Sequence, residues 1–264
     1  MQTRSILLFG LFASCGCTPS SIENEDGPLD TASEVHFERA TLYFPQGSDQ
    51  QNPAHLLAPI IVHESGKDAQ TDLSGWLDAA GGNPRVYLAR SEIEINGVIH
   101  SQFIYSWRYG KKSPQQPALS MGRILRMTLD SRGYPAVYEV FTGKGVLVAL
   151  HVSLGLEQSA EREHGPPLPG RKYSIERAPQ ESTGPVLAGV VKEGPVAMGP
   201  LAYLDSPARK IVALTCRCSP SRIEKADGSH RYELIELERG QGEAPGDLPP
   251  TGQALGNLRF PGEF

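Results

Sequence analysis

The sequence has no large excess of charge of either sign and lacks the common enzyme motifs, and each absence narrows its possible functions. Its 25 Lys and Arg residues are matched by 30 Asp and Glu, a formal net charge of −5, so the basic surface of a nucleic-acid-binding protein is not expected. Neither the Gly-x-Ser-x-Gly motif of serine hydrolases nor a glycine-rich phosphate loop is present. Catalytic residues and cofactors therefore stay unknown, and a protein without enzymatic activity is the favoured prediction.

The composition is that of a folded chain. Hydrophobic residues make up 39% of the sequence and charged residues 21%, whereas disordered chains are poorer in the former and richer in the latter. The 264 residues suit one large domain once a leader and the two ends are set aside. No internal repeat of fixed period occurs, so a repeat architecture is not expected.

The N-terminus has the three-part layout of a secretory signal. Arg4 supplies a positive start, residues 6–13 form a short apolar run, and small residues follow. A helix that spans a bilayer needs roughly 20 apolar residues, so this run is too short to act as a permanent anchor. Residues 1–14 are therefore interpreted as a signal peptide that is removed.

The residues after the apolar run resemble the lipobox of bacterial lipoprotein signal peptides. Phe12, Ala13, Ser14 and Cys15 match the lipobox in three places, and Phe12 stands where the family usually has Leu. The resemblance implies that Cys15 is lipidated and becomes the mature N-terminus. Cys17, which fits the pattern less well, is the alternative.

The same resemblance implies a location. Such lipoproteins carry more than one acyl chain, as stable anchoring requires. In enteric-type bacteria an Asp directly after the lipidated Cys retains the protein at the inner membrane, but Gly16 occupies that position here. The implied location is the bacterial cell envelope, lipid-anchored in the outer membrane and facing the periplasm. The membrane is then one partner, and an envelope protein or a cell-wall glycan is a second; no nucleic acid is expected.

Two segments of unusual composition flank the body of the chain. Residues 15–34 carry the lipidation site followed by Ser, Pro, Gly and acidic residues, which predicts a flexible acidic tether. Residues 239–264 contain six glycines and four prolines without a period, which predicts a disordered tail. Residues 35–238 are expected to form a single β-rich domain.

The clearest structural signal is a β-hairpin in residues 85–109. Asn96-Gly97 lies between two extended runs, and a type I′ turn requires positive φ at both central residues. Counting outward from this turn pairs Ile95 with Val98. Each strand of the hairpin is expected to contribute to a core.

A second hairpin is predicted in residues 124–141, around Asp-Ser-Arg-Gly. Its apolar residues share one face, while Arg126, Thr128 and Glu139 share the other. This division indicates a sheet that is packed on one side only.

The remaining signals are mainly of strands. They lie at residues 145–153, 185–192, 196–204, 210–218 and 230–238. Residues 154–165 permit a helix that ends at Gly165, because prolines follow directly. The predicted fold class is α+β, β-dominated, with antiparallel hairpins in a sandwich or a partly open barrel and one short helix.

Cys216 and Cys218 are the only thiols of the predicted body. In a regular strand their side chains would stand about 6.6 Å apart, whereas a disulfide needs Cβ atoms near 4 Å, so a bridge demands a kink that Ser219-Pro220 could provide. Closing a three-residue loop adds little stability, about 1–2 kcal/mol. Three interpretations stay open: a structural disulfide or inert thiols, a labile disulfide with a redox role, and a soft-metal site that His230 joins through folding.

An aromatic ladder in the first hairpin is a second candidate site. Tyr105, Trp107 and Tyr109 alternate along a strand, and Lys111 and Lys112 follow. Such side chains could stack on sugars or bind an anionic polymer, and the same spacing is also that of a core face. Both interpretations stay open.

These patterns favour a lipid-anchored envelope protein with a non-catalytic binding or structural role. The alternative is a lipoprotein that handles redox equivalents or a soft metal through Cys216 and Cys218. A third hypothesis is a hydrolase whose site the sequence does not reveal, which a cleft joining His63, Glu64 and another acid would favour.

Overall fold

The fold was examined in a computed structural model. It describes residues 35–47, 52–65, 84–108, 122–179, 187–206, 209–237, 252 and 254–264. Within these ranges the chain is dominated by β-structure, as predicted, and eleven strands form one sheet.

The strands, in chain order, are β1 (Phe37–Pro45), β2 (Ile60–Glu64), β3 (Arg85–Ile95), β4 (Val98–Trp107), β5 (Arg123–Leu129), β6 (Pro135–Thr142), β7 (Leu147–Ser153), β8 (Leu187–Val191), β9 (Leu201–Leu204), β10 (Ile211–Thr215) and β11 (Ile223–Glu236). The helices are α1 (Pro53–Leu57), α2 (Leu154–His164) and a 3-10 turn (Leu255–Asn257). None of the described helices combines the length and apolar character of a membrane span.

The sheet is curled into a nearly closed barrel. Its strand order is β10-β9-β2-β1-β11-β3-β4-β5-β6-β7-β8. Val191 in β8 and Leu214 in β10, at opposite ends of this order, belong to the same buried cluster, so the ends of the sheet approach each other. The antiparallel hairpins expected from the sequence run from β3 to β7, but β11 pairs in parallel with both β1 and β3.

The first hairpin forms as predicted. Asn96 has φ of 51° and Gly97 has φ of 79°, which are the positive values that a type I′ turn requires. Ile95 is opposite Val98, and Leu88 is opposite Tyr105, in the register counted from the turn. The turn chemistry and the strand pairing therefore agree.

The second hairpin has the expected pairing but not the expected exposure. Leu125 faces Val140 across β5 and β6, while Arg126 and Glu139 lie on the opposite face. The prediction that this face meets solvent is wrong, since Arg126 and Glu139 are both buried. They form a bidentate pair, with Nε and Nη2 of Arg126 donating over 2.6 and 2.7 Å, which satisfies both charges.

Helix α1 fills part of the barrel interior. Leu57 and the following Ala58 are fully buried in the largest apolar cluster. The hydroxyl of Tyr105 donates to the Ala54 carbonyl over 2.7 Å, and the hydroxyl of Tyr232 donates to the Pro59 carbonyl over 2.7 Å. The interior is therefore a packed core, and these two hydrogen bonds tie it to α1 and to the residues that follow α1.

Helix α2 covers the outer face of the sheet beside β7. The Ser153 hydroxyl accepts from the Leu156 amide over 3.1 Å at its N-terminus. Gly165, with φ of 80°, ends the helix where the sequence predicted. Leu156 and Ala160 are buried and belong to the same apolar cluster as Val152 of β7.

For residues 254–264 the prediction of a disordered tail is wrong, while residues 239–251 and 253 of the predicted tail lie outside the described residues. Residues 254–264 lie against the barrel, and the Arg259 amide donates to the Ile175 carbonyl over 2.6 Å. Leu258 and Phe264 are buried in the α2 cluster, and the Phe264 ring stacks on His100 with centroids 4.4 Å apart. Apolar residues within a Gly- and Pro-rich segment are enough to fix it to a preformed surface. We call residues 254–264 the C-terminal segment.

Candidate functional site

The aromatic ladder is core rather than an exposed binding face. Tyr105 and Trp107 are completely buried inside the barrel, so for these two residues the core face is the correct one of the two interpretations left open. Burial also raises the pKa of Tyr105, whose hydroxyl is engaged with α1. Tyr109, Lys111 and Lys112 lie outside the described residues.

Cys216 and Cys218 are joined in a disulfide within a tight turn after β10. The Ser219 amide donates to the Cys216 carbonyl over 3.0 Å, and this turn brings the two Cα atoms to 5.1 Å. That separation lies within the range that disulfides span, so the chain has the kink that a bridge between these two cysteines requires. We call residues 216–219 the disulfide turn.

The two sulfurs have different surroundings. Cys216 is 7% exposed, whereas Cys218 lies at the surface. The Cys218 amide donates to Cys216 Sγ over 3.0 Å. Cys218 Sγ lies 3.8 Å from the Glu193 carbonyl oxygen, and Cys216 borders a cavity of about 10 Å³ that Gly194 also lines.

The segment facing the disulfide turn connects β8 to β9 and also contacts α2. The Glu193 carboxylate accepts from the Gly155 amide over 2.9 Å, which places a negative charge at the N-terminus of α2. The Tyr134 hydroxyl donates to the Pro195 carbonyl over 3.3 Å. The disulfide turn therefore lies where the two ends of the sheet approach each other.

His230 is not brought to the disulfide turn as a metal ligand. It is exposed on β11 and stacks on Tyr43, with ring centroids 5.1 Å apart. No cluster of three or more His, Cys, Asp or Glu side chains suited to a metal ion occurs in the part of the chain that the structure describes. With both sulfurs in the disulfide, no thiolate of Cys216 or Cys218 is free for a soft metal.

Two further histidines lie in the core. His63 is 2% exposed, so no exposed imidazole lies beside Glu64. Glu64 accepts from the Ser206 amide over 3.0 Å, a structural contact between β2 and the end of β9. Burial lowers the pKa of His151 to about 4, so this histidine is neutral near pH 7.

A groove of about 720 Å³ lies between the tip of the first hairpin and the C-terminal segment. The hairpin contributes Glu92 to Asn96, and the C-terminal segment contributes Leu255, Leu258 and Phe260. The volume is within the range typical of ligand sites. We call this cavity the hairpin groove.

The charged side chains of the hairpin groove differ in whether they have hydrogen-bond or ion-pair partners. Glu92 and Glu94 are exposed and have no ion-pair or hydrogen-bond partner among the described residues. Arg177 donates its Nε to the Leu258 carbonyl over 3.2 Å, and Arg259 donates its Nε to the Glu176 carbonyl over 3.1 Å. The guanidinium groups thus hold the groove together, and Glu92 and Glu94 lie at its rim, because their side chains alternate along β3 with Ile93 and Ile95, which pack with the C-terminal segment.

Two exposed apolar side chains lie beside the turn at the tip of the hairpin. Val98 is 44% exposed and Ile99 is 68% exposed. Sequence reasoning missed the groove. Its other wall comes from residues about 160 positions later, in a segment whose composition predicted disorder.

Comparison of the chain with protein-family models, with curated proteins and with solved structures found no match.

Proposed function

We propose that this chain is a lipid-anchored envelope protein with a non-catalytic role, and that it binds an extended peptide segment of another envelope protein in the hairpin groove. The observation that carries the binding role is the groove itself, which residues of the hairpin and of the C-terminal segment line together. Apolar lining gives such sites most of their affinity, and a few polar groups give them specificity.

A peptide is favoured over a glycan because of where the aromatic rings lie. Sugar recognition by stacking needs exposed aromatic faces, and Tyr105 and Trp107 are both inside the barrel. The groove instead offers aliphatic side chains, the half-buried ring of Phe260, and Glu92 and Glu94 at its rim. An extended segment with an aliphatic residue for the groove and a Lys or Arg for Glu92 and Glu94 at the rim matches this chemistry, because Arg177 and Arg259 already place positive charge in the groove.

The proposed location is supported by two independent features. The lipobox-like Cys15, with Cys17 as the alternative, lies in the leader region outside the described residues. A disulfide in the barrel is consistent with an oxidising compartment such as the envelope, because cytosolic thiols are kept reduced.

Peptide display against the full-length protein tests the groove. Selected peptides should be enriched in Lys or Arg beside aliphatic residues, and their affinity should fall at least tenfold in the Glu92→Gln/Glu94→Gln variant. Removing both charges leaves the side-chain volumes unchanged, so a loss reports electrostatics rather than packing. The affinity is measured by titration calorimetry at low and high salt.

Glu38→Gln is the matched control for that experiment. Glu38 is an exposed acid near the start of β1, which pairs with the start of β11. Glu92 and Glu94 lie at the opposite end along the strand direction, because the parallel strand β3 begins beside the end of β11. This variant should bind the peptides as well as the wild type. Selection of peptides that carry no Lys or Arg would contradict the proposed site. An equal loss of peptide affinity in the Glu92→Gln/Glu94→Gln variant and in Glu38→Gln would contradict it as well.

The anchor is tested by the intact mass of the protein extracted from membranes. Loss of the leader with the added mass of diacylglyceryl and acyl groups is expected for the wild type and for Cys17→Ala. Cys15→Ala should stay unlipidated and leave the membrane fraction. An unlipidated wild-type protein would overturn the proposed location.

A further inference from the structure

The disulfide turn presents one sulfur to solvent and keeps the other inside. Cys218 is exposed and Cys216 is 7% exposed, so a dissolved or protein-bound thiolate can reach only Cys218 Sγ easily. Thiol–disulfide exchange requires the attacking thiolate to contact one particular sulfur. The geometry therefore makes the two halves of the bond inequivalent.

The buried sulfur is suited to leave as a thiolate. The Cys218 amide donates to Cys216 Sγ over 3.0 Å, and an amide donor stabilises the anionic form of its acceptor. A cavity of about 10 Å³, large enough for about one water molecule, borders Cys216 and gives the sulfur room to move when the bond opens. Both features lower the barrier for attack on Cys218.

The turn itself does not depend on the disulfide. The hydrogen bond from the Ser219 amide to the Cys216 carbonyl, 3.0 Å long, is made by the backbone and can persist after reduction. The reduced Cys218 thiol also acquires a proton that it can donate to the Glu193 carbonyl, 3.8 Å away in the disulfide form. A closed loop of three residues restricts the unfolded chain little. The pair can therefore be reduced in the folded protein.

From these contacts we infer that Cys218 is a thiol-exchange site and Cys216 its leaving and resolving partner. A thiolate attacks Cys218 Sγ, forms a mixed disulfide there, and releases Cys216 as a thiolate. A second thiolate attacks the partner's sulfur, which yields the partner's disulfide and the Cys218 thiolate, and both released thiolates take up protons. Two electrons pass from the thiols to the protein. This reactivity is independent of peptide binding in the hairpin groove.

The sequence provides a direct way to measure the two sulfurs separately. Trypsin cleaves after Lys210, Arg217 and Arg222, so Cys216 is recovered in peptide 211–217 and Cys218 in peptide 218–222. The oxidised full-length protein is incubated with reduced glutathione under native conditions, free thiols are alkylated with iodoacetamide, and the digest is analysed by mass spectrometry. Glutathione should be found on peptide 218–222 at least tenfold more often than on peptide 211–217.

Single-cysteine variants give a second measurement. In Cys216→Ser the remaining Cys218 should form a mixed disulfide with oxidised glutathione at least tenfold faster than Cys216 does in Cys218→Ser. In a parallel reaction with the oxidised wild-type protein, a reduced thioredoxin that lacks its second cysteine replaces reduced glutathione, and the Cys216–Cys218 disulfide is the oxidant. A stable adduct with thioredoxin indicates a protein thiol as the natural partner, and an adduct with glutathione alone indicates a small thiol.

Two results would overturn the inference. One is modification of Cys216 at a rate equal to or above that of Cys218 in both the wild type and the variants. The other is a disulfide that millimolar glutathione reduces only after denaturant is added, with folding followed by circular dichroism.

Discussion

Gly199 lies so close to the end of α1 that a side chain has no space there. A Cβ atom at this position would lie 2.0 Å from the Leu57 carbonyl oxygen and 2.9 Å from the Ala58 carbonyl oxygen. Both neighbours are backbone atoms inside the core, so they cannot move aside as a flexible side chain would. The Gly199 amide also donates to the Leu56 carbonyl over 3.0 Å.

Gly199→Ala is therefore expected to lower the free energy of unfolding by about 3 kcal/mol or more, because overpacking must displace α1 or β9. Urea denaturation measures the change. Gly256→Ala is the matched control, since a Cβ at Gly256 meets no atom within 4 Å. A Gly199→Ala protein as stable as this control would show that the close approach is not present in solution.

His151 makes the stability of the barrel depend on pH. Burial lowers its pKa from 6.5 to about 4 in the folded protein, while the unfolded chain takes up the proton near pH 6.5. The unfolded state therefore binds more protons between these values, and the free energy of unfolding falls as the pH falls from 6.5 to 4.

Relative to His151→Asn, the wild type should lose roughly 3 kcal/mol across this pH range. Denaturant titrations at pH 7, 5.5 and 4 measure the difference. His230→Asn, which removes an exposed histidine and keeps His151, should follow the wild-type curve. Parallel curves for wild type and His151→Asn would contradict the buried, neutral state of this side chain.

At the scale of elements, α2 depends on its N-terminal contacts. The Ser153 hydroxyl and the Glu193 carboxylate accept from the amides of Leu156 and Gly155, which have no partner within the helix. One acceptor comes from the adjoining strand and the other from the segment after β8. The start of α2 is therefore held by local sequence and by tertiary structure together.

Ser153→Ala should lower the free energy of unfolding by about 1 kcal/mol, the usual effect of losing an N-cap. Ser159→Ala, within the same helix, should change it by no more than about 0.5 kcal/mol, because Ala favours the helix interior. Thermal unfolding followed by circular dichroism compares the two variants. Equal effects at both positions would argue against the cap.

The attachment of α1 inside the barrel is the second property at this scale. Tyr105→Phe and Tyr232→Phe each leave a buried carbonyl without its donor, at Ala54 and Pro59 respectively. Each is expected to lower the free energy of unfolding by about 1–3 kcal/mol.

The control for these two variants is Tyr134→Phe, whose hydroxyl makes a longer bond of 3.3 Å at the exposed Pro195 carbonyl. It should change the free energy of unfolding by less than about 0.5 kcal/mol. Hydrogen exchange provides a further measurement, because amides of α1 should exchange faster in Tyr105→Phe. Unchanged exchange in α1 would show that the helix is held by packing alone.

At the scale of the whole molecule, the C-terminal segment is part of the fold. Leu258 is 2% exposed and lies in one cluster with residues of β6, β7 and α2. Leu258→Ala is expected to lower the free energy of unfolding by about 2–4 kcal/mol, the range for a buried Leu. A disordered tail would give no change.

Leu56→Ala is the matched substitution, because Leu56 is 36% exposed on α1. It should lower the free energy of unfolding by less than about 1 kcal/mol. Chemical denaturation of both variants, with cleavage by trypsin near Arg259 as a second readout, measures the difference. Similar small effects in the two proteins would restore the interpretation of a loose tail.

Signals from neighbouring residues in the sequence were enough to predict several structural elements of this protein. Asn96-Gly97 predicted both the turn and the register of β3 and β4, because the conformation of a two-residue turn determines which residues face each other. The end of α2 at Gly165 was likewise predictable from neighbouring residues. The β-dominated fold class followed from the sum of such signals.

Only the tertiary structure decided which faces are buried and which residues meet. Arg126 and Glu139 are buried although their face of the hairpin is polar, because each neutralises the other across β5 and β6. The hairpin groove joins Glu92 to Phe260, and no local pattern specifies a contact over that distance in the chain. Turns and caps depend on a few adjacent residues, whereas burial and sites depend on how the eleven strands close around one core.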